Sequence, residues 1–229
     1  PGFNDQDDYS FNYAAYQNDD GTVWVVGDIS SGVWFYDNGK WVKGLDSESE
    51  PMEGGKSSPL KTSDGILWIS STDGIYYLNS DQRWEKSIGF KNASSASKGG
   101  NYSPQLHLTS NGTLVAVDSS QGLLIYDGNR WLQHSSYGPG RQYNDHLGHG
   151  FVEYPNEVFW LATDKGVRRI QDNSWYDLTV ADGLPSNDVY TIELDNSGYL
   201  WIGTTQGLSR FRIPSNSNPP AVEITRIDS

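Results

Sequence analysis

The stretch "DGLPSNDVYTIELDNSGYLWIGTTQGLSRF", Asp182 to Phe211, decides the fold. Val189–Leu194 and Tyr199–Thr204 alternate apolar and polar residues, the period of a half-buried strand. Asn196-Ser197-Gly198 and Thr205-Gln206-Gly207 are turns, with glycine where the backbone needs a positive φ. The stretch is one copy of a unit that recurs along the chain. "GTVWVVGDISSGVWFYDNGKW" begins at Gly21, "GILWISSTDGIYYLNSDQRW" at Gly65, "GTLVAVDSSQGLLIYDGNRW" at Gly112 and "EVFWLATDKGVRRIQDNSW" at Glu157. Three landmarks return. The first is Trp24, Trp68, Trp160 and Trp201, with Val115 in the third copy. The second is Gly32, Gly74, Gly122, Gly166 and Gly207. The third is Trp41, Trp84, Trp131 and Trp175, and the fifth copy lacks it. First landmarks lie 44, 47, 45 and 41 residues apart. A period near 44 with several short strands per unit is the arithmetic of a propeller blade.

The expected fold is therefore all-β, a β-propeller of about five four-stranded blades, or an arc of a larger one. The blades fall near 9–44, 58–87, 103–135, 149–179 and 187–211, within a repeat region of 1–212. A lone four-stranded blade cannot bury both faces, so Trp24, Trp68, Trp160 and Trp201 are expected between blades. The fifth copy has no outer strand of its own. Either 1–10 or the tail "AVEITRID" (Ala221–Asp228) is expected to supply one.

Composition agrees and excludes several functions. Apolar residues make up 35% of the 229, and aromatics 13%, so rings carry much of the core. The net charge of -13 argues against nucleic acid or an anionic membrane surface as partner. With no cysteine, disulfides, thiolate metal sites and cysteine nucleophiles are excluded. No apolar run approaches the roughly 18 residues of a membrane span. Pro1 lies in a polar stretch, so the chain is expected to be a mature or excised segment.

Gly183 to Phe211 resembles the two-component regulator propeller repeat nearly end to end, and the resemblance extends more loosely from Asp20. The third copy departs at Val115, the fourth at Asn156-Glu157, where a glycine turn is expected. The resemblance implies a periplasmic sensor of oligosaccharides or polysaccharide breakdown products. Such sensors stand outside the inner membrane, ahead of kinase, cyclase or DNA-binding output modules. It also implies that 213–229 is a linker and the start of a β-sandwich module. No output motif occurs here. The chain would be the detecting part alone, meeting the membrane only through other segments and pairing as a homodimer through the full receptor.

In a propeller the loops between second and third strands share a face with the blade-to-blade connections, and that face is where a ligand is expected. The richest connection is "HSSYGPGRQYNDHLGHG", His134 to Gly150. It holds aromatic rings for the apolar side of a sugar and polar groups for its hydroxyls: Tyr137, Arg141, Tyr143, Asn144, Asp145 and His146. Asp164, Lys165 and Gln206 join them from second-to-third turns. His134, His146, His149 and Asp145 match no tight metal motif. No metal, cofactor or catalytic residue is expected. Two other classes stay open. One is a protein-interaction or dimerisation scaffold. The other is a glycan-active lyase or glycosidase, for which Asp28, Asp73 and Asp164 or Arg141, Tyr143 and His146 would have to serve.

Overall fold

A computed structural model describes residues 14–17, 21–26, 33–37, 39–43, 45–46, 59–90, 103–118, 122–134, 150–154, 158–172, 174–213 and 224–227. These form two compact units, Pro1–Leu106 and His107–Ser229.

The first unit holds two sheets. One orders β1 (Ala14–Gln17), β2 (Val23–Val26), β3 (Val33–Asp37) and β4 (Lys40–Lys43) in sequence. The other comprises β5 (Leu45–Asp46), β6 (Leu60–Lys61), β7 (Leu67–Ser71), β8 (Gly74–Leu78) and β9 (Arg83–Gly89), ordered β5-β9-β8-β7-β6. β5 runs parallel to β9, with Asp46 opposite Trp84.

The unit boundary falls within β10 (Gln105–Leu108), which heads a sheet with β11 (Leu114–Asp118), β12 (Gly122–Tyr126) and β13 (Trp131–Gln133). The fourth sheet is β14 (Phe151–Tyr154), β15 (Val158–Thr163), β16 (Gly166–Gln171) and β17 (Ser174–Leu178). The fifth is β18 (Val189–Leu194), β19 (Tyr199–Thr204), β20 (Gly207–Arg212) and β21 (Thr225–Ile227). Among the described residues every sheet thus meanders through four antiparallel strands, and the second adds β5.

The tail completes the fifth sheet. Thr225–Ile227 pairs with Leu208–Arg210 as the outer strand, where the family resemblance had placed the opening of a sandwich module. Residues 1–10 lie outside the described set.

Strand β15 shows why the apolar runs are continuous. All six of its residues are buried. Val158, Trp160 and Ala162 pack with Ile192, Leu200, Ile202 and Phe211 of the fifth sheet. Phe159 and Leu161 point the other way, against Val115, Val117 and Leu123 of the third. Alternation along one strand therefore feeds two cores. In the first unit Trp24, Val26 and Val33 pack with Leu67, Ile69, Tyr76 and Trp84.

The first landmark is a cross-strand pair. Trp24 faces Phe35, Trp68 faces Tyr77, Val115 faces Ile125, Trp160 faces Arg169 and Trp201 faces Arg210. Trp24, Trp68 and Trp160 are buried, as expected of core positions. Trp201 departs from that expectation and is only half-buried. Its indole N–H donates to Asp195 Oδ2 at 2.8 Å and its ring meets the Arg210 guanidinium at 5.2 Å, which holds it at the surface.

The third landmark divides. Trp84 and Trp131 are buried, while Trp41 and Trp175 are exposed. Added strand β5 makes β9 an interior strand, and Trp84 meets Trp24 edge-on at 5.7 Å.

The glycine landmark has a steric cause. A Cβ on Gly166 would stand 2.0 Å from the Leu178 carbonyl oxygen, and one on Gly74 would stand 2.3 Å from that of Ile88. In both sheets the fourth strand ends across the start of the third. Only a residue without a side chain fits there.

Candidate functional site

The edge carrying the turns between second and third strands is built by one repeated device. In the fourth sheet the Thr163 hydroxyl donates to the Gly166 carbonyl at 2.7 Å and accepts from the Lys165 N–H at 3.1 Å. In the fifth, Thr204 does the same with Gly207 at 2.9 Å and Gln206 at 3.2 Å. A short hydroxyl side chain can bond its own turn in this way. The residues between threonine and glycine, Asp164-Lys165 and Thr205-Gln206, are thereby held out at the strand ends.

The connection entering the fifth sheet reaches the same edge. Thr179 caps a single 3-10 turn, Val180–Asp182, in a reciprocal capping box with Asp182. Gly183 closes that turn at φ 109°. Asn187 Oδ1 accepts from the Val180 N–H at 2.8 Å. Beyond it, the Thr205 hydroxyl bonds Ser186 Oγ at 2.9 Å, and the Thr205 N–H donates to the Asp188 carbonyl at 3.1 Å. The blade-to-blade connection and the second-to-third turn thus form one hydrogen-bonded ledge.

Asp164 and Lys165 pair at 3.4 Å through Oδ2, while Asp164 Oδ1 is buried with no hydrogen-bond partner among the described residues. Gln206 is exposed. These three occupy equivalent turns of neighbouring sheets, as expected. Tyr137, Arg141, Tyr143, Asn144, Asp145 and His146 lie outside the described residues, as do His149 and Asp28. His134 sits at the described edge of that connection, and burial lowers its pKa.

In the second sheet the corresponding turn carries Asp73. Burial works to raise its pKa, but the Tyr76 hydroxyl at 2.5 Å and the Lys86 ammonium at 3.0 Å outweigh that and hold it below the usual carboxylate range. Asp73 is therefore an anchored anion that ties β9 to the turn. Tyr176, in the fourth sheet, has its pKa raised, first by burial and then by the Asp182 carboxylate, against the opposing pull of Arg169. Sequence reasoning passed over Thr163 and Thr204. Their signal was present in "TDKG" and "TTQG", where a threonine stands three residues before the landmark glycine.

The arrangement presents hydroxyl, amide and paired-ion groups along one edge, each able to donate or accept a hydrogen bond. Among the described residues no three His, Asp or Glu side chains cluster to hold a metal. Nor is any helix among them long and apolar enough to cross a membrane.

Residues 183–206, the ledge and its following strands, match the two component regulator propeller family. That stretch is thus similar to one two-component regulator propeller repeat. Solved structures extend the likeness beyond that repeat. An extracellular domain assigned to a hybrid two-component system of B. thetaiotaomicron matches with a TM-score of 0.63 at 17% identity. That match covers 95% of this chain and 30% of that one. A second such domain from the same organism matches at 0.60 and 14% identity, covering 95% and 31%. Virginiamycin B lyase from Staphylococcus aureus, in its structure with quinupristin, matches at 0.59 and 15% identity, covering 95% and 69%. The fold is a β-propeller. The chain spans less than a third of the length of the two-component domains it matches. No curated protein sequence matches it.

Proposed function

We propose that this chain is part of the ligand-sensing, extracytoplasmic propeller of a bacterial signalling receptor. The observation that carries the reading is the two-component regulator repeat at 183–206, which forms the ledge, supported by the likeness to extracellular domains of hybrid two-component systems. The ligand is an oligosaccharide or a polysaccharide breakdown product. It sits on the loop edge among Tyr137, Arg141, Tyr143, Asn144, Asp145 and His146, with Asp164, Lys165 and Gln206 contributing polar contacts. The compartment is the periplasm, and two receptor chains pair. Ligand binding shifts their arrangement by its differential affinity for the two states.

The test is a thermal-shift screen against oligosaccharides of plant, algal and host origin. A ligand at about 100 times its dissociation constant stabilises the fold by about 2.7 kcal/mol. One glycan class is expected to raise the melting temperature, and Tyr143→Ala or Arg141→Ala to abolish the rise. Cooperative melting that no glycan shifts would count against the reading.

The lyase likeness favours one further reading, a propeller enzyme. It predicts turnover of a glycan or of quinupristin, followed by mass spectrometry of the product. An unchanged substrate after prolonged incubation would remove it.

A further inference from the structure

A second candidate site lies in the first unit, at the end of the sheets opposite their second-to-third turns. There the first and second sheets leave a cleft of about 690 Å³ between them. Ligand pockets occupy roughly 300–1,000 Å³, so the space is of ligand size. Trp24, Phe35, Leu67 and Leu78 form the apolar part of its wall. Trp24 is buried, and its indole N–H has no hydrogen-bond partner among the described residues. Phe35 meets it at 4.8 Å with the rings tilted by 37°, and is itself half-exposed.

The rim is polar and balanced in charge. Lys61 and Asp64 contribute one charge of each sign, and Ser80 and Gln82 are uncharged. Asp64 spends Oδ1 on its own turn, accepting from the Thr62 hydroxyl at 2.5 Å and the Ile66 N–H at 3.2 Å. Asp64 itself is exposed. Gln82 holds a left-handed backbone, φ 59°, and its N–H serves the turn by bonding the Asn79 carbonyl. Its side-chain amide takes no part in that turn.

The fourth sheet carries a different residue at the equivalent position. There the residue opposite the landmark tryptophan is Arg169, which is buried, with its guanidinium 5.9 Å from the Trp160 ring and 5.6 Å from that of Tyr176. Phe35 holds the same register position in the first sheet. A flat phenyl ring covers the tryptophan without a long arm to fill the space beyond.

We infer that this cleft is a binding site for a neutral hexose ring, alone or in a disaccharide. The ring's apolar face would lie on Phe35 and Leu78, and its hydroxyls would meet Asp64, Ser80 and Gln82. The balanced rim gives no preference for a charged ligand. The uncharged polar groups beside an aromatic wall match a ring with one apolar face and a hydroxylated edge. This site is separate from the loop edge assigned above and does not depend on it.

The test is a titration of ¹⁵N-labelled protein with maltose, cellobiose and lactose, each to about 50 mM, a range that captures millimolar affinity. The Trp24 indole resonance is assigned by Trp24→Phe and the Gln82 amide by Gln82→Gly, a change its left-handed backbone accepts. At least one disaccharide is expected to shift both resonances saturably. Gln82→Gly and Phe35→Leu are each expected to weaken that binding about three- to tenfold, the loss of one contact, and Arg141→Ala to leave it unchanged. The inference is overturned if none of the three sugars moves the Trp24 resonance. It is overturned equally if the shift persists undiminished in both cleft variants, or if Arg141→Ala removes it. That last result would place binding on the loop edge and support the sensor reading instead.

Discussion

Replacing Gly166 by alanine isolates the force that keeps glycine at the second landmark. Two penalties coincide there. The backbone sits at φ 118°, which an L-residue adopts at a cost of about 1–2 kcal/mol. The new Cβ would also stand 2.0 Å from the Leu178 carbonyl oxygen, a backbone atom that no rotamer change can move away. Relief requires the end of β17 to shift against β16, where Val167 pairs with Leu178. Overpacking of that kind costs about 1–3 kcal/mol. Together the expected loss is about 2–5 kcal/mol. Gly198→Ala is the matched control in the same unit: φ is 81°, but nothing lies within 4 Å of the Cβ, so only the backbone cost of about 1–2 kcal/mol applies. Gly74→Ala supplies the reverse case, a collision 2.3 Å from the Ile88 oxygen without the left-handed backbone. Urea unfolding followed by tryptophan fluorescence and circular dichroism measures all three. The reasoning fails if Gly166→Ala costs no more than Gly198→Ala.

Three further outcomes are expected. His107 stacks on Phe151 at 4.5 Å, and burial lowers its pKa from 6.5 to about 4. The folded state then takes up its proton later than the unfolded state. Stability is unaffected above pH 6.5 and falls by about 2 kcal/mol on going down to pH 5. His107→Phe should remove that component from the stability–pH curve, and an unchanged acid limb would refute it. Arg168 is buried beneath Trp175 and bonds Asp177 through Nε at 2.7 Å and Nη2 at 2.9 Å. Asp177→Ala strands that guanidinium and should cost about 3–5 kcal/mol, while the double change Arg168→Leu with Asp177→Leu should cost clearly less; equal losses in urea unfolding would contradict this. Ending the chain after Ile213 removes β21 and leaves β20 as an unpaired edge. A lower melting temperature and concentration-dependent association on size exclusion should follow, and an unaltered monomer would show that β21 contributes nothing.

Much of the fold was legible because each landmark answers a local need. The positive φ of Gly166 and Gly207 and the Asx turn of Asp195, which accepts from the Ser197 and Tyr199 N–H groups, are set within single turns. The strand order of every blade follows from such turns, since each connects neighbours. The ledge was less legible. The bond from Thr205 to Ser186 joins residues 19 apart, and neither carries a signal that names the other. Trp201 misled as well. It occupies the slot of Trp24 and Trp160, yet Asp195 and Arg210 hold it at the surface.

The sequence by itself determined the all-β class, the period near 44, the turns and the cross-strand slots. All of these arise from local conformational preference and from alternation with period two. Only the tertiary structure decided which strand completes the fifth sheet. Ile213 and Thr225 are separated by a proline-bearing tail, and strand pairing across it is a matter of which edge lies open. Only the structure, too, showed the cleft that Trp24, Phe35, Leu67 and Leu78 line between the first two sheets. A gap depends on the volumes of side chains that different blades bring together, and no single repeat encodes that sum.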